Sequence, residues 1–158
     1  MIEVKILFIS NAPIVIIMID TNSSKEVNAG GYLAVYFYRV PKKNHNAISQ
    51  NLKKFIPWFV SNGVRLEYYH LSGKDTQEII ESATASGMNM MVNITKTIAS
   101  EDEDIWMELQ HFRDQKHSKE VYAKMMSDKN LEPLGKEFMG LISQGGNLIT
   151  GIFNRLEQ

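Results

Sequence analysis

The hydrophobic positions of this chain change period several times, and each change predicts a new element. Residues 31 to 40 (GYLAVYFYRV) alternate with apolar side chains on both faces, which is typical of a central strand. Residues 44 to 61 carry apolar positions every three or four residues, as a helix with one buried stripe does. After Asn62 and Gly63, a favourable helix end, residues 64 to 72 predict a second strand.

The patterns in the middle of the chain are weaker. Residues 75 to 86 start with side chains typical of a helix cap and predict a short helix. Residues 88 to 99 are rich in β-branched residues, which favours a strand. Together these two segments predict an irregular insert between two regular units.

A second strand-helix-strand unit follows this insert. Residues 105 to 112 (IWMELQHF) alternate as a strand, and residues 115 to 128 predict a helix with Val121 facing inward. A further helix is predicted to begin near Pro133, because proline is favourable in the first turn of a helix. Residues 147 to 156 predict the last strand.

These elements predict one α+β domain over residues 29 to 158. Two β-α-β units separated by an insert form the split β-α-β pattern of a ferredoxin-like sandwich. In that architecture one antiparallel sheet carries helices on one face. A chain of 158 residues can bury a sizeable core in this way without metals or disulfides.

Residues 1 to 28 predict an extension to this domain. Two apolar runs, residues 6 to 9 and 14 to 19, flank an Asn-Ala-Pro turn and predict an accessory hairpin, with residues 21 to 31 as a linker. The runs are too short and too interrupted for a membrane span or an export signal. The alternative is that translation begins at Met18 and that the preceding residues are upstream sequence.

Composition and charge indicate which classes of partner molecule this protein is expected to bind. With 44% hydrophobic residues, 22% charged residues and a formal net charge of -1, the chain has the composition of a globular protein. The 17 Lys and Arg are spread among 18 Asp and Glu, so we expect neither nucleic acid nor a membrane as a partner. The chain has no cysteine, which suits a reducing compartment and leads us to expect a cytoplasmic location. No cofactor is expected.

The face of the predicted sheet that the helices leave uncovered must meet solvent, a ligand or a second sheet. We predict that it carries a set of aromatic and polar side chains: Tyr32, Tyr36, Tyr38, Tyr68, His70, Trp106, Glu108, Gln110 and Thr150. Such a set is too aromatic for ordinary solvated surface, which favours a homodimer whose two sheets enclose a cavity. The candidate cavity residues are Tyr36, Tyr38, Tyr68, Trp106 and Gln110. Alternatively, these residues only pack the dimer interface.

Residues 111 to 130 (HFRDQKHSKEVYAKMMSDKN) carry a resemblance to a known family. The spacing of six residues is similar to that family's strand-to-helix signature: His117, Val121, Ala123, Lys124, Met126 and Asp128. Further matches are Tyr32, Val40-Pro41, Leu66-Glu67-Tyr68, Glu103, Gly151 and Phe153. The family consists of small bacterial and archaeal proteins of unknown function with the dimeric α+β-barrel form of the ferredoxin-like fold.

The sequence departs from that family in three places. The family's acidic residue in the first strand falls at Ala34, its usual serine after the third strand falls at Asp114, and residues 1 to 28 have no counterpart. The resemblance implies the fold and a homodimer, and it transfers no chemistry.

The histidines and the Arg113-Asp114 pair of the same segment are predicted to be structural. His117 is expected in the first turn of its helix, near Asp114. Adjacent opposite charges at a strand exit, such as Arg113 and Asp114, are usually a solvated pair.

Glu108 is the strongest candidate for catalysis. It lies between Trp106 and Gln110 on the strand face assigned to the cavity, and burial among aromatic side chains would raise its pKa toward neutrality. His70 is the second candidate base. The histidines have no HxH or HxxxH spacing, so a metal site would need His70 joined to His111 or His117 by strand pairing, with Glu67 or Glu108. No metal is expected.

Two hypotheses of different class follow. In the first, the dimer binds a small, partly apolar molecule in the cavity between its sheets without acting on it. In the second, the protein is a cofactor-independent enzyme, similar to a monooxygenase or an isomerase, that uses Glu108 or His70 as its base. An enzyme requires an acid or base within hydrogen-bond reach of a cavity large enough for a substrate.

Overall fold

The computed structural model describes residues 2–9, 12–19, 31–145 and 148–155. The strands are β1 (Ile2–Ile9), β2 (Ala12–Ile19), β3 (Tyr32–Pro41), β4 (Arg65–His70), β5 (Glu103–Phe112) and β6 (Leu148–Asn154). The helices are α1 (His45–Ser61), α2 (Gly73–Ala85), α3 (Ile94–Ile98), α4 (Gln115–Ser127) and α5 (Glu132–Leu141). All but one of the elements predicted after residue 30 are confirmed, with small shifts at their ends.

Four strands form one antiparallel sheet in the order β4-β5-β3-β6. The two inner strands place Tyr36 opposite Glu108, and β4 places Tyr68 opposite the same residue. Every neighbouring pair of strands is antiparallel. This is expected because the connections through α1 and through α4 and α5 each join two parallel strands that have one other strand between them in the sheet. The predicted α+β class and the antiparallel sheet are confirmed.

β1 and β2 form a separate two-stranded antiparallel sheet, with Ile2 opposite Ile19. The strands of the predicted accessory hairpin are therefore present. The predicted linker, residues 21 to 31, lies outside the described residues except for Gly31.

Helices α1, α4 and α5 lie against one face of the sheet. The Tyr36 hydroxyl meets the Tyr122 hydroxyl of α4 at 2.7 Å. The Tyr38 ring packs edge-on against Phe138 of α5, with centroids 5.3 Å apart. Two clusters of buried residues form the core on this face, one around Phe112 and the other around Tyr38.

The predicted assignment of the two sheet faces is wrong. Tyr36, Tyr38, Trp106, Glu108 and Gln110 were expected on the uncovered face, yet they lie beneath the helices. The same correction applies to Tyr68, which packs against both core clusters. It also applies to the other members of the predicted set, because they point to the same side of the sheet. A strand's alternation of side chains fixes which residues share a face, but it does not say which face the helices cover.

The face turned away from α1, α4 and α5, which we call the outer face, carries the odd-numbered residues of the two inner strands. Its apolar residues are Leu33, Val35, Phe37, Ile105, Met107, Leu109, Ile149 and Phe153, of which Val35 and Ile105 are already buried in the single chain. Polar side chains lie on the same face at the β4 edge, where Arg65 pairs with Glu67 at 2.9 Å. The outer face is therefore apolar in its centre and polar at one side.

The prediction of a strand over residues 88 to 99 is wrong. The segment instead contains the short helix α3, whose start is capped by Asn93. The Asn93 Oδ1 atom accepts two hydrogen bonds from Thr95, one from the backbone N–H at 3.0 Å and one from the side-chain hydroxyl at 2.7 Å. A local cap of this kind competes with strand pairing and here outweighs the β propensity of the segment.

Pro57 lies inside α1, and the helix continues through it to Ser61. Proline removes one backbone donor, and Pro57 is exposed, so water can reach the carbonyl group that is left without its helical partner. None of the helices that the structure describes is long and apolar enough to cross a bilayer.

Candidate functional site

The most polar part of the sheet's covered face is centred on Glu108. Its side chain lies under the helices with only 9% of the residue exposed, and Gln110 is 5% exposed. The antiparallel register places Tyr36 on one side of Glu108 and Tyr68 on the other. A carboxyl group at this position is surrounded by aromatic rings and shielded from water.

A chain of hydrogen bonds joins this carboxyl group to helix α4. The Gln110 Nε2 atom donates to Glu108 Oε1, and the Tyr122 hydroxyl donates to Gln110 Oε1 at 2.6 Å. Because Tyr122 has a single hydroxyl proton, its bond to Tyr36 requires Tyr36 to be the donor there. The donors therefore run in one direction, from Tyr36 through Tyr122 and Gln110 to Glu108.

Burial changes the acidity of these groups. Desolvation raises the pKa of Glu108 to about 7, and the hydrogen bond from Gln110 acts in the opposite direction but is the weaker influence. Desolvation also raises the pKa of Tyr38 and of Tyr68 above the usual range, and the charge of Glu108 raises both further. Near neutral pH Glu108 can therefore exist in both protonation states while these tyrosines remain protonated.

A cavity of about 240 Å³ lies between the sheet and the helices. Tyr68, Glu108 and Gln110 form its side on the sheet. The helices contribute apolar walls: Leu52, Phe55, Phe59, Met125, Gly135, Phe138 and Met139. Small-molecule sites typically combine such walls with a few convergent polar groups, and their volumes are about 300–1,000 Å³. This cavity suits a small compound.

Polar side chains hold together the helices that frame the cavity. Asn51 of α1 is fully buried, and its Nδ2 atom donates to the Leu134 carbonyl at 3.2 Å and to Glu137 at 2.9 Å, both on α5. Trp58 of α1 donates from Nε1 to Asp128, the residue that directly follows α4, at 2.8 Å. These bonds link α1 to α5 and to the end of α4, the three helices that form the cavity walls.

The candidate cavity residues divide into three groups. Tyr68 and Gln110 line the cavity, and Tyr36 is linked to it through Tyr122. Tyr38 and Trp106 lie in the adjoining core, where the Tyr38 hydroxyl and the Trp106 Nε1 atom are buried without a hydrogen-bond partner among the described residues. The cavity thus lies between sheet and helices within one chain, not between two sheets as predicted.

The two candidate bases are not in the same place. Glu108 lines the cavity, whereas His70 lies at the end of β4 beside His45 and Asp104. His111 lies on the outer face, 3.7 Å from Glu67. His45 and Tyr122 were not among the predicted site residues, although His45 lies beside Asp104 and Tyr122 holds Gln110.

Residues 111 to 130 form a strand exit and a helix start, as predicted. The Asp114 side chain accepts a hydrogen bond from the His117 backbone N–H at 2.7 Å and caps α4. The His117 ring is buried, and its Nε2 atom lies 2.8 Å from the Asn62 carbonyl oxygen. His117 therefore ties the start of α4 to the end of α1, which is a structural role.

No protein-family model matches this sequence, and no curated protein matches it either. What the site can do chemically follows from its own geometry. A carboxyl group with a pKa near neutrality, at the wall of an apolar cavity, can accept a proton from a bound molecule or donate one to it.

We predict that the burial of Glu108 makes the free energy of unfolding depend on pH. Between its ordinary value of 4.5 and its folded value of about 7, the folded state holds a proton that the unfolded state has released. The stability contribution of Glu108 is therefore lost as pH rises through this window, by about 3 kcal/mol in the free energy of unfolding. The titratable side chains facing it, Tyr36, Tyr38, Tyr68 and Tyr122, are tyrosines.

Urea denaturation of the wild-type protein and of Glu108→Gln between pH 4.5 and 8 measures this pH dependence. The variant should gain stability relative to the wild type as pH rises, because its amide stays neutral in both states. Glu120→Gln, which removes an exposed carboxyl group from α4, is the matched control for the change in net charge. Parallel stability curves for the wild type and Glu108→Gln would contradict the prediction.

Proposed function

We propose that this protein is a homodimer that binds a small, partly apolar molecule in the cavity between the sheet and helices of each subunit. The observation that carries the proposal is the Glu108 carboxyl group, buried at the wall of an apolar cavity and connected through Gln110 to two tyrosine hydroxyls. A buried polar chain of this kind can recognise one hydroxyl or amine on an otherwise apolar ligand.

We further propose that the domain is a ferredoxin-like split β-α-β sandwich. The strand order β4-β5-β3-β6 supports this assignment, since the first and third strands of the domain are the two inner strands of the sheet. The resemblance of residues 111 to 130 to the family of dimeric α+β-barrel proteins of unknown function points in the same direction.

The outer face of the sheet supports the dimer. Its centre is apolar, and two of its residues are about half exposed in the single chain, Ile149 at 47% and Phe153 at 55%. An apolar patch with polar side chains at one side is typical of a protein interface. Two outer faces packed together would bury these residues and leave the two cavities on opposite sides of the dimer.

The alternative function is a cofactor-independent enzyme in which Glu108 is the base. The observation that favours it is a pKa near 7, where a carboxylate is a far stronger base than an ordinary one and is still partly ionised. Under this hypothesis Glu108 would remove a proton from a substrate held against the apolar walls. His70 is the weaker candidate, because it is not among the residues that line the cavity.

The dimer can be tested with a single charge on the outer face. Native mass spectrometry should give the mass of two 18.0 kDa chains for the wild type. Phe153→Asp should weaken the dimer at least ~100-fold, because association would bury an unpaired carboxylate. Val60→Asp, at a position 59% exposed on α1, is the control and should remain dimeric. A monomeric wild type, or a Phe153→Asp dimer of unchanged strength, would contradict the proposal.

The cavity can be tested with p-cresol, a small aromatic molecule with one hydroxyl group, in an NMR titration. Gly135 lines the cavity, and a Cβ atom added there meets no atom within 4 Å apart from its chain neighbours and the backbone of its own helix, so Gly135→Leu should fill the space without disturbing the fold. We expect this variant to weaken binding at least ~5-fold through lost apolar contact. Gly140→Leu is the matched control on the same helix, outside the residues that line the cavity.

Equal binding of p-cresol by the wild type and by both glycine variants would contradict the cavity proposal. Native mass spectrometry of the purified protein separately shows whether a small molecule of cellular origin remains bound. A ligand that is chemically converted by the wild type but not by Glu108→Gln would favour the enzyme over the binding protein.

A further inference from the structure

Two histidines and an aspartate converge at one end of the sheet, apart from the Glu108 cavity. The His45 Nδ1 atom lies 3.0 Å from Asp104 Oδ2, and the His70 Nε2 atom lies 3.5 Å from the same oxygen. One potential ligand atom from each of the three residues lies within 4.8 Å of the others. We propose that His45, His70 and Asp104 bind a divalent transition-metal ion.

The sheet topology explains why residues so far apart in sequence meet here. β5 runs antiparallel to both β3 and β4, so its first residues lie beside the last residues of those two strands. Asp104 is near the start of β5 and His70 is the last residue of β4. His45 begins α1 directly after the short turn that follows β3.

The observed distances are close to those that a metal ion requires. Ligand atoms bound tetrahedrally to zinc at about 2.0–2.2 Å are separated from one another by roughly 3.3–3.6 Å. The two contacts to Asp104, at 3.0 and 3.5 Å, are near these values. The third pair of donor atoms, on His45 and His70, lies within 4.8 Å.

Trp106 restrains both imidazole rings. Its ring centroid lies 5.3 Å from that of His45 and 5.2 Å from that of His70, and the two imidazoles pack edge-on at 4.7 Å. Rings held by packing lose less conformational freedom when they coordinate an ion, so the site is partly organised in advance. Trp106 lies between Asp104 and Glu108 along β5 and separates the proposed metal site from the cavity.

The chemistry of the three side chains selects the class of metal. Imidazole nitrogen favours zinc, iron, copper and nickel over magnesium and calcium, and two histidines with one carboxylate are a common ligand set for catalytic zinc and for non-haem iron. Three protein ligands leave at least one coordination position for water or an anion. His70 and Asp104 line a surface depression together with Lys42, Lys74, Glu101 and Glu103, so the site is open to solvent and to a ligand of the ion.

Isothermal titration of the untagged protein with zinc chloride at pH 7.5 tests this proposal. We expect one zinc ion per chain, with affinity reduced at least ~10-fold in each of His45→Gln, His70→Gln and Asp104→Asn. His111→Gln is the matched control, because His111 also lies near a carboxylate, Glu67, but is accompanied by the cationic Arg65. This control should bind zinc as the wild type does.

Cobalt provides a second measurement that does not depend on heat of binding. Coordination of Co²⁺ by these side chains should produce visible absorption in the wild type and the control but not in the three ligand variants. Circular dichroism of each metal-free variant establishes that it is folded. Absence of zinc binding in the wild type, or binding that all three folded ligand variants retain, would overturn the proposal.

Discussion

The burial of the Glu108 carboxyl group beneath the helices sets the polar contacts between the sheet and α4. An ionised Glu108 that is isolated from water is costly in free energy, and among the residues that the structure describes the hydrogen bond from Gln110 is the contact that offsets this cost. Tyr122 in turn holds the Gln110 amide from α4. The Glu108 carboxyl group on the sheet therefore determines where Tyr122 of α4 must lie. The apolar cavity is the space beside this series of hydrogen bonds.

The sequence predicts most elements because their local signals agree with the tertiary structure. The alternation of residues 31 to 40, the helical period of residues 44 to 61 and the Asp114 cap of α4 all correspond to observed features. The exception is the segment around Asn93, where a helix cap of a few atoms outweighed a run of β-branched residues. The competition between helix and strand is decided here by side-chain hydrogen bonds, which the spacing of apolar residues does not reveal.

The composition of the candidate site was partly predictable, and its location was not. Glu108, Gln110, Tyr36 and Tyr68 do share one face, as their alternation requires, but that face is turned toward the helices. Aromatic residues with hydroxyl groups suit an interface and a polar core equally well, so their identity did not distinguish the two. The convergence of His45 on His70 and Asp104 depends on strand order, which lies beyond the reach of sequence spacing.

The chemistry of this site rests on Glu108, whose carboxyl group lines the cavity with a pKa that burial raises to about 7. Its titration can be followed directly by NMR of ¹³C-labelled glutamate side chains, with the Glu108 resonance identified by its absence in Glu108→Gln. We expect a midpoint near pH 7 for this resonance. A midpoint at or below about pH 5, the range of ordinary glutamates, would contradict it.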